Sequence, residues 1–590
     1  MKPETALAIF TFSPVQSFIS EARRAEDLFN GSAILSRLAC AAAKALDKEN
    51  LIYPDSLSEN DMPNKLVARL PLDQAAGMLE KAENALIGEW RKIAEEALQT
   101  SGLTTDEVWV SIWQRQVIEN PPWQVFWVYQ PETGDYTADF REASRRLDAL
   151  KHSRLFTQSE EEGEKDSLSG QRSALHTNGK SPKKYWAEMA KKPQITASQL
   201  KPEGKERLDS IGLIKRFAEL AGRREFPSTS TVAGWDFYQQ AKTAAGDLLK
   251  TYSGELENLK LHKVRPADRD FPYDLDLFFK ETLTVERMKD SYGREFTEKD
   301  LAPAKQALKK LVEAVGFSPS PYYAILLLDG DGIGRKLDRM EANGAKGENF
   351  HCQFSEKLGK FAEKTAEFVK PSEGGFLVYN GGDDVLLLAS LQRAIPLASS
   401  LAQAYQQAFS GLFKATLSGA VLIAHHLSPL SRVLADLRRA EKHAKSVAAD
   451  ELGNKDTLCL ALSKRGGEPL LARSPWILIE KFEEDWVIPF REGKLANSMP
   501  YLLRDDLRVA EGLDEEAVEA LVCYRFKRQA GENFNKQEVA DLSEQWIGWV
   551  ATIEEMIKKE QHQTDPKKTA FEEAVNGLII ARFLAQGGKE

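Results

Sequence analysis

The amino-acid sequence predicts an α+β protein in which two ferredoxin-like palm domains are joined by a helical linker and followed by a helical C-terminal domain. Three observations carry that prediction. The first is a continuous apolar run, Tyr322-Tyr323-Ala324-Ile325-Leu326-Leu327-Leu328, that stops at Asp329-Gly330-Asp331-Gly332. A run without alternation marks a strand buried on both faces. The second is a pair of apolar runs, Gly375 to Asn380 and Asp384 to Ala389, hinged on Gly381-Gly382, which suits a tight hairpin that needs positive φ. The third is the opening of the chain, where a strand over Ala6 to Phe12 precedes helical spacing in Phe18, Ala22, Ala25, Leu28 and Phe29. Its layout is similar to that of the unit at Tyr322.

Residues 1–205 are assigned to the first palm with a surface insertion, 206–312 to the helical linker, 313–473 to the second palm and 474–590 to the C-terminal helical domain. In the first palm, dense β-branched and aromatic residues predict strands at Val108 to Val117 and Trp123 to Tyr129, separated by Pro121-Pro122. From Ser159 to Lys205 the chain carries charge, Ser and Gly without periodicity and reads as a long surface insertion; the basic stretch Lys180 to Arg207 reads as a solvated loop. The linker shows helical patterns broken at Phe226-Pro227-Ser228 and over Val264 to Pro272. In the second palm a strand at Ala415 to Ala424, a helix at Pro429 to Ala449 and a strand at Thr457 to Leu462 complete a βαββαβ order. Helices are then predicted at Leu513 to Arg525, Lys536 to Lys558 and Ala570 to Ala585.

Composition narrows the function classes. A chain of 590 residues is too long for one hydrophobic core, and 42% hydrophobic with 28% charged residues is a globular composition. No apolar run approaches the ~20 residues of a membrane span, and Met1-Lys2-Pro3-Glu4-Thr5 opens no signal-peptide core, so a cytoplasmic protein with no membrane partner is expected. Cys40, Cys352, Cys459 and Cys523 lack metal or dithiol spacing and read as reduced. A net charge of -10 argues against coating nucleic acid through the overall field, so any RNA is expected to be held largely by partners.

The acids carry the chemistry. Nucleotidyl transfer needs neutralisation at the attacking oxygen, the non-bridging oxygens and the leaving pyrophosphate, which two divalent ions on clustered carboxylates supply. Asp329, Asp383 and Asp384 each border an apolar strand of one predicted sheet and are the candidate catalytic residues and ligands of two Mg2+ or Mn2+ ions. Gly330, Asp331 and Gly332 form a candidate triphosphate loop, with the Gly330 carbonyl a further ligand, and Gly381 and Gly382 shape the hairpin. Lys445, on the helix after the fourth strand, is a candidate phosphate contact; Lys442 is a weaker one. Either acidic motif alone is also an ordinary turn, and Lys445 alone an ordinary surface lysine; their combination in one sheet favours the site. His425-His426 reads as structural or as cleft lining, and neither HExxH spacing, a Walker loop nor a nucleophile elbow occurs.

A wider set of blocks occurs in order: Phe12-Ser13-Pro14-Val15-Gln16-Ser17-Phe18-Ile19, Ala22-Arg23-Arg24, Asp27-Leu28-Phe29-Asn30-Gly31-Ser32, Leu213-Ile214-Lys215-Arg216, Phe226-Pro227-Ser228-Thr229, the two acidic motifs, Pro429-Leu430, Ala444-Lys445 and Lys464-Arg465-Gly466-Gly467. With these the chain resembles the large polymerase- and cyclase-like subunit of type III CRISPR effector complexes, in the Cmr branch (type III-B). The resemblance implies GGDEF- and cyclase-like palms that convert ATP into cyclic oligoadenylates when the complex captures target RNA. It implies metal ligation by Asp329 and Asp383 or Asp384, a triphosphate contact from Lys445, and a second nucleotide bordered by Ser13, Gln16, Gly31 and Ser32. Its partners would be the other subunits, with guide and target RNA held largely through them. Two departures stand out. The chain begins at the first palm without the His-Asp pair of an HD nuclease, so DNA cleavage is not expected, and Ser167-Leu168-Ser169-Gly170 stands where relatives carry zinc-binding cysteines, so no zinc is expected. Transfer from ATP to another acceptor such as S-adenosylmethionine, a non-catalytic scaffold, and a free-standing diguanylate cyclase remain alternatives.

Overall fold

The computed structural model describes residues 4–59, 61–153, 161–193, 195, 199–220, 226–264, 268–509, 515–530, 535–558 and 565–588. Residues 1–3 of the opening segment, residues 265–267 of the polar linker stretch and residues 513–514 of an expected helix lie outside them.

Four strands, β1 (Thr5–Ser13), β2 (Leu51–Tyr53), β3 (Lys65–Pro71) and β4 (Gln124–Pro131), pair antiparallel in the order β2-β3-β1-β4. Helices Ala25–Ala45 and Ala75–Ser101 make the two crossovers, giving βαββαβ. Because β1 is buried on both faces, its alternate residues serve two cores. Ala6, Ala8, Phe10 and Phe12 pack with the crossover helices, whereas Leu7 and Ile9 join Val67, Phe140 and residues of the second sheet.

The second sheet repeats the topology. Strands β5 (Tyr322–Gly330), β8 (Gly375–Asn380), β9 (Val385–Ala389) and β10 (Leu417–His425) are linked by helices Gly347–Phe368 and Ala394–Ala408, with a small hairpin β6 (Glu341–Ala342) and β7 (Ala345–Lys346) before the first. β11 (Thr457–Ser463) then pairs parallel to β10, and β12 (Leu470–Pro475) antiparallel to β11, giving the order β12-β11-β10-β5-β9-β8. The two sheets place equivalent strands in the same order, so the likeness of the two βα openings extends through a full βαββαβ unit.

Two expectations need correction. Val108 to Val117 is not a strand: it forms the helix Glu107–Trp113 and a π-helical turn over Gln114–Glu119. The Asp106 side chain caps the Trp109 N–H, and Trp109, Ile112, Trp113 and Gln116 bury one face at helical spacing. Strands β2, β3 and β12 carry no prediction. The stretch from Ser159 to Lys205 is not a loop on the surface throughout, because the helix Pro182–Met189 buries Tyr185 and Trp186. The Ser167-Leu168-Ser169 turn is held by hydrogen bonds: Asp166 accepts from the Leu168 and Ser169 amides at 2.7 and 2.6 Å, and Arg207 N–H donates to Ser167 Oγ at 2.9 Å.

The linker helices Thr229–Ala244, Gly246–Asn258, Val285–Tyr292 and Glu298–Val315 close over their own aromatic core around Phe237, Tyr252, Phe271 and Phe278. The C-terminal helices Met499–Val509, Glu515–Arg528, Lys536–Ile557 and Pro566–Ala585 share a core with the second sheet. A short helix, Ser210–Phe217, seals the first palm: Arg216 binds Asp27 through two parallel hydrogen bonds of 2.6 and 2.7 Å and Glu206 at 3.2 Å, all of them buried. Among the described residues no helix is long and apolar enough to cross a membrane.

Candidate active site

Strand register builds the site. Leu328 of β5 lies opposite Val385 of β9, so the next positions outward, Asp329 and Asp384, are cross-strand neighbours on one face. The hairpin that carries Asp383 is closed by a hydrogen bond from Gly381 N–H to the Asp384 carbonyl at 2.9 Å, and Gly382 adopts φ +101°, which an L side chain resists. Gly330 N–H donates to the Asp383 carbonyl at 3.2 Å, tying the two acidic loops together. On the other side of β5, Ser418 of β10 faces Asp329.

Burial and proximity leave these acids short of positive charge. Burial and the Asp329 charge push the Asp383 carboxyl up to about 6. Burial, a hydrogen bond with Asp329 and the Asp383 charge push Asp384 well above the usual carboxylate range. Lys445, at the end of the helix Leu430–Ala444, pairs with Asp329 and with Glu441 at 2.7 Å. Burial lowers its pKa, but the two carboxylates outweigh that and hold it above the ordinary lysine value. Lys442 is exposed.

The donor set fits a hard divalent cation. The candidate ligands are crowded carboxyl groups whose ionised forms burial and mutual repulsion disfavour until a cation is near, and the Lys445 ammonium pairs with Asp329. Among the described residues no three His, Cys, Asp or Glu side chains form a complete cage.

Asp331, expected to face the nucleotide, serves the fold instead. Its buried Oδ2 accepts from Thr416 Oγ1 at 2.7 Å, Ser418 Oγ at 2.8 Å and the amides of Lys455 and Asp456 at 3.1 and 3.0 Å. The Gly330 and Asp331 amides are likewise committed, to Asp383 and Thr416 carbonyls. Gly332, with φ +65°, lies back to back with Gly453; a Cβ on Gly332 would meet the Leu452 carbonyl oxygen at 2.4 Å and Gly453 Cα at 2.7 Å. The lysine from the same loop's helix, Lys336, is buried and donates to the Asp331 carbonyl and to Asn454 Oδ1 at 2.8 Å.

In the first palm, Ser13 is half-buried at the end of β1 and Gln16 is exposed, its carbonyl accepting from Arg438 of the second palm at 2.9 Å. Gly31 and Ser32 are buried; a Cβ on Gly31 would sit 3.3 Å from Ile19 Cα. Gly31 thus lets the chain pass close to Ile19, Ser32 is buried, and of the four residues only Ser13 and Gln16 offer surface. His425 and His426 are buried: His426 Nδ1 lies 2.8 Å from Ser230 Oγ and its ring stacks on Phe279.

Several residues at the acids escaped the sequence reading. Tyr405 is buried against Gly330 with its hydroxyl unpartnered, and burial and the nearby acids push its pKa well up. Tyr379 and, from β2 of the first palm, Tyr53 are pushed up in the same way by burial and by Asp383 and Asp384. Lys65 of β3 is pulled down by burial while Asp383 opposes the shift. Tyr405 continues an aromatic helical stripe with Phe409, a visible signal; Tyr53 has none, because tertiary packing alone brings it near.

Two family models match this chain: the second palm domain of Cas10/Cmr2 over residues 322–459, and the N-terminal part of the CRISPR-associated protein Cmr2 over residues 7–95. The stretch that matches the Cas10/Cmr2 second-palm model contains Asp329, Asp383 and Asp384. The CRISPR system Cmr subunit Cmr2 of Pyrococcus furiosus is 26% identical over 331 residues, covering 50% of this chain and 36% of that protein. The chain therefore matches little more than a third of that relative's length. In fold it is similar to a type III-B Cmr-β structure in the apo state, with a TM-score of 0.64, 14% identity and coverage of 100% of this chain and 82% of the other. A Cmr-β structure bound to cognate target RNA gives 0.60, 13%, 90% and 79%.

Proposed function

We propose that this protein is the Cas10/Cmr2-type subunit of a type III-B CRISPR effector complex and joins ATP into cyclic oligoadenylates when the complex holds target RNA. The observation that carries this reading is the register of β5 against β9, which sets Asp329 beside Asp384 with Lys445 on the same carboxylate.

In this chemistry a 3′-hydroxyl oxygen attacks the α-phosphorus of ATP and pyrophosphate leaves. When bound, two Mg2+ or Mn2+ ions on Asp329, Asp383 and Asp384 would supply the charge neutralisation that this displacement needs. Lys445 then leaves Asp329 for the β- or γ-phosphate, serving as a mobile point charge. The tight Gly381-Gly382 hairpin fixes where the acids stand. Tyr379, Tyr405 and Tyr53 pack around the carboxylates, limit water access and so strengthen every charge interaction there. Lys65 adds positive potential from the first palm. Ser13 and Gln16 are the first-palm residues available to a second nucleotide. The other subunits of the complex, with guide and target RNA held largely through them, are its partners, in keeping with the fold likeness to Cmr-β structures.

The test is incubation of the assembled complex with guide RNA, target RNA, Mg2+ and labelled ATP, with and without S-adenosylmethionine, followed by mass spectrometry. Cyclic oligoadenylates from ATP alone are expected. A product that requires the added acceptor, or no nucleotide product at all, overturns the reading.

A further inference from the structure

The segment that carries Lys445 is pinned by a polar network whose far end lies in the C-terminal helix Pro566–Ala585. Glu573 of that helix is buried. Its Oε1 lies 2.6 Å from His443 Nε2 and accepts from Arg473 Nε at 3.0 Å, while its Oε2 accepts from the Arg473 amide at 2.8 Å. Arg473, on β12 and itself buried, donates from Nη1 to Ser446 Oγ at 2.6 Å, and Ser446 Oγ donates to the His443 carbonyl at 2.7 Å. His443 and Ser446 flank Ala444-Lys445. The intervening carbonyls are held too, Ala444 by Thr457 Oγ1 at 2.8 Å and Lys445 by Lys455 Nζ.

We propose that Glu573 is a positioning residue: through His443, Arg473 and Ser446 it fixes the end of the helix Leu430–Ala444 so that the Lys445 ammonium reaches Asp329 and, in turn, a nucleotide phosphate. The C-terminal helical region is then coupled to the acid site by one chain of charge-assisted hydrogen bonds. Such bonds are directional as well as strong. Arg473 has its guanidinium and its backbone N–H on the same carboxylate, so loss of the Glu573 charge releases β12 and the Lys445 segment together. A lysine held by backbone alone would sample several rotamers, and the ordering of its side chain would then have to occur on binding. This inference rests on the proposed role of Lys445 as a phosphate contact.

The experiment compares ATP binding by the full chain in the presence of Mg2+, measured by titration calorimetry, for the parent, Glu573→Gln, Lys445→Ala and the double variant. Glu573→Gln keeps the shape of the side chain, and thermal melting checks that it folds. We expect it to weaken ATP by about tenfold, and to add nothing in the Lys445→Ala background, because its effect passes through that lysine. Affinity within twofold of the parent, or an equal loss in both backgrounds, overturns the positioning role while leaving the functional reading intact. A parent chain that binds no ATP overturns the functional reading and the positioning role with it. If Glu573→Gln does not fold, Ser446→Ala removes the Arg473 link at an exposed position and is read by the same criteria.

Discussion

The two palms have one topology and opposite treatments of charge. At the end of β1 stands Ser13, where the corresponding end of β5 carries Asp329-Gly330; between β2 and β3 lies a connection of ten residues and more, where β8 and β9 are joined by Gly381-Gly382-Asp383-Asp384. In the first palm the buried Asp27 and Glu206 both face the Arg216 guanidinium. Asp27 is held below the usual carboxylate range because the Arg216 guanidinium beside it outweighs the cost of burial. In the second palm the acids are crowded without enough partners, and Asp383 and Asp384 are pushed up instead. Paired charge stabilises a buried site; crowded acids of this kind mark a candidate functional site.

The comparison can be broken most sharply at the acids. Asp383→Asn with Asp384→Asn is expected to cut nucleotide synthesis on the order of 10⁴-fold, equivalent to about 5 kcal/mol of transition-state stabilisation, while the melting temperature stays level or rises as repulsion is relieved. A loss of melting temperature in step with activity would show these acids to be structural.

Arg216→Ala should do the reverse. It leaves Asp27 and Glu206 buried and unpaired, and chemical denaturation should register a loss of about 3–4 kcal/mol. A change within 0.5 kcal/mol, the scale of a surface substitution, would show that the ion pair is not what closes the first palm.

Lys215 sharpens the same contrast by pH. It is buried, donates to the Phe18 and Glu21 carbonyls and lies 4.0 Å from the centroid of the Phe18 ring. Burial pulls its pKa from 10.5 down to about 8. The folded chain therefore gives up this proton first, and stability should rise as pH climbs from about 8 towards 10.5, by on the order of 3 kcal/mol. Lys215→Met should remove that increment, seen as the difference between two denaturation series; identical pH profiles would count against a strained, buried ammonium.

The smallest expected effect is at Lys445. Lys445→Ala should raise the KM for ATP by about tenfold, or ~1.4 kcal/mol, with kcat little changed if the contact is made equally in the ground and transition states. An unchanged KM would leave Lys445 as a partner of Asp329 alone.

Much of the second palm was legible in the sequence because its signals are local. Tyr322 to Leu328 is apolar without a break, and Gly381-Gly382 can hardly be anything but a turn, so both acidic motifs could be placed in one sheet; the register that aligns Asp329 with Asp384 comes from the structure. The first palm was less legible. Trp109, Ile112 and Trp113 read as strand residues by type, although their spacing of three and four is helical. Lys65-Leu66-Val67-Ala68-Arg69-Leu70 hid a strand, because its polar positions face the second palm: Arg69 binds Glu132 and also Glu348. Asp331 looked like a site residue because it stands two positions from Asp329, yet the strand ends at Gly330 and the Asp331 carboxylate accepts hydrogen bonds from Thr416 and Ser418. Tyr53 and Glu573 have no sequence signal at all, since their partners lie hundreds or scores of residues away.

The back-to-back contact of Gly332 and Gly453 bears on how this loop tolerates change. A side chain at either position meets the other's backbone, so in a saturation library neither site has a permitted single neighbour in sequence space. Nor does a compensating double substitution help, because no side chain at the second position makes room at the first. A lineage that kept the loop would then be held to both glycines, while Gly334 five strides from the acids, with open space around its Cβ, could drift.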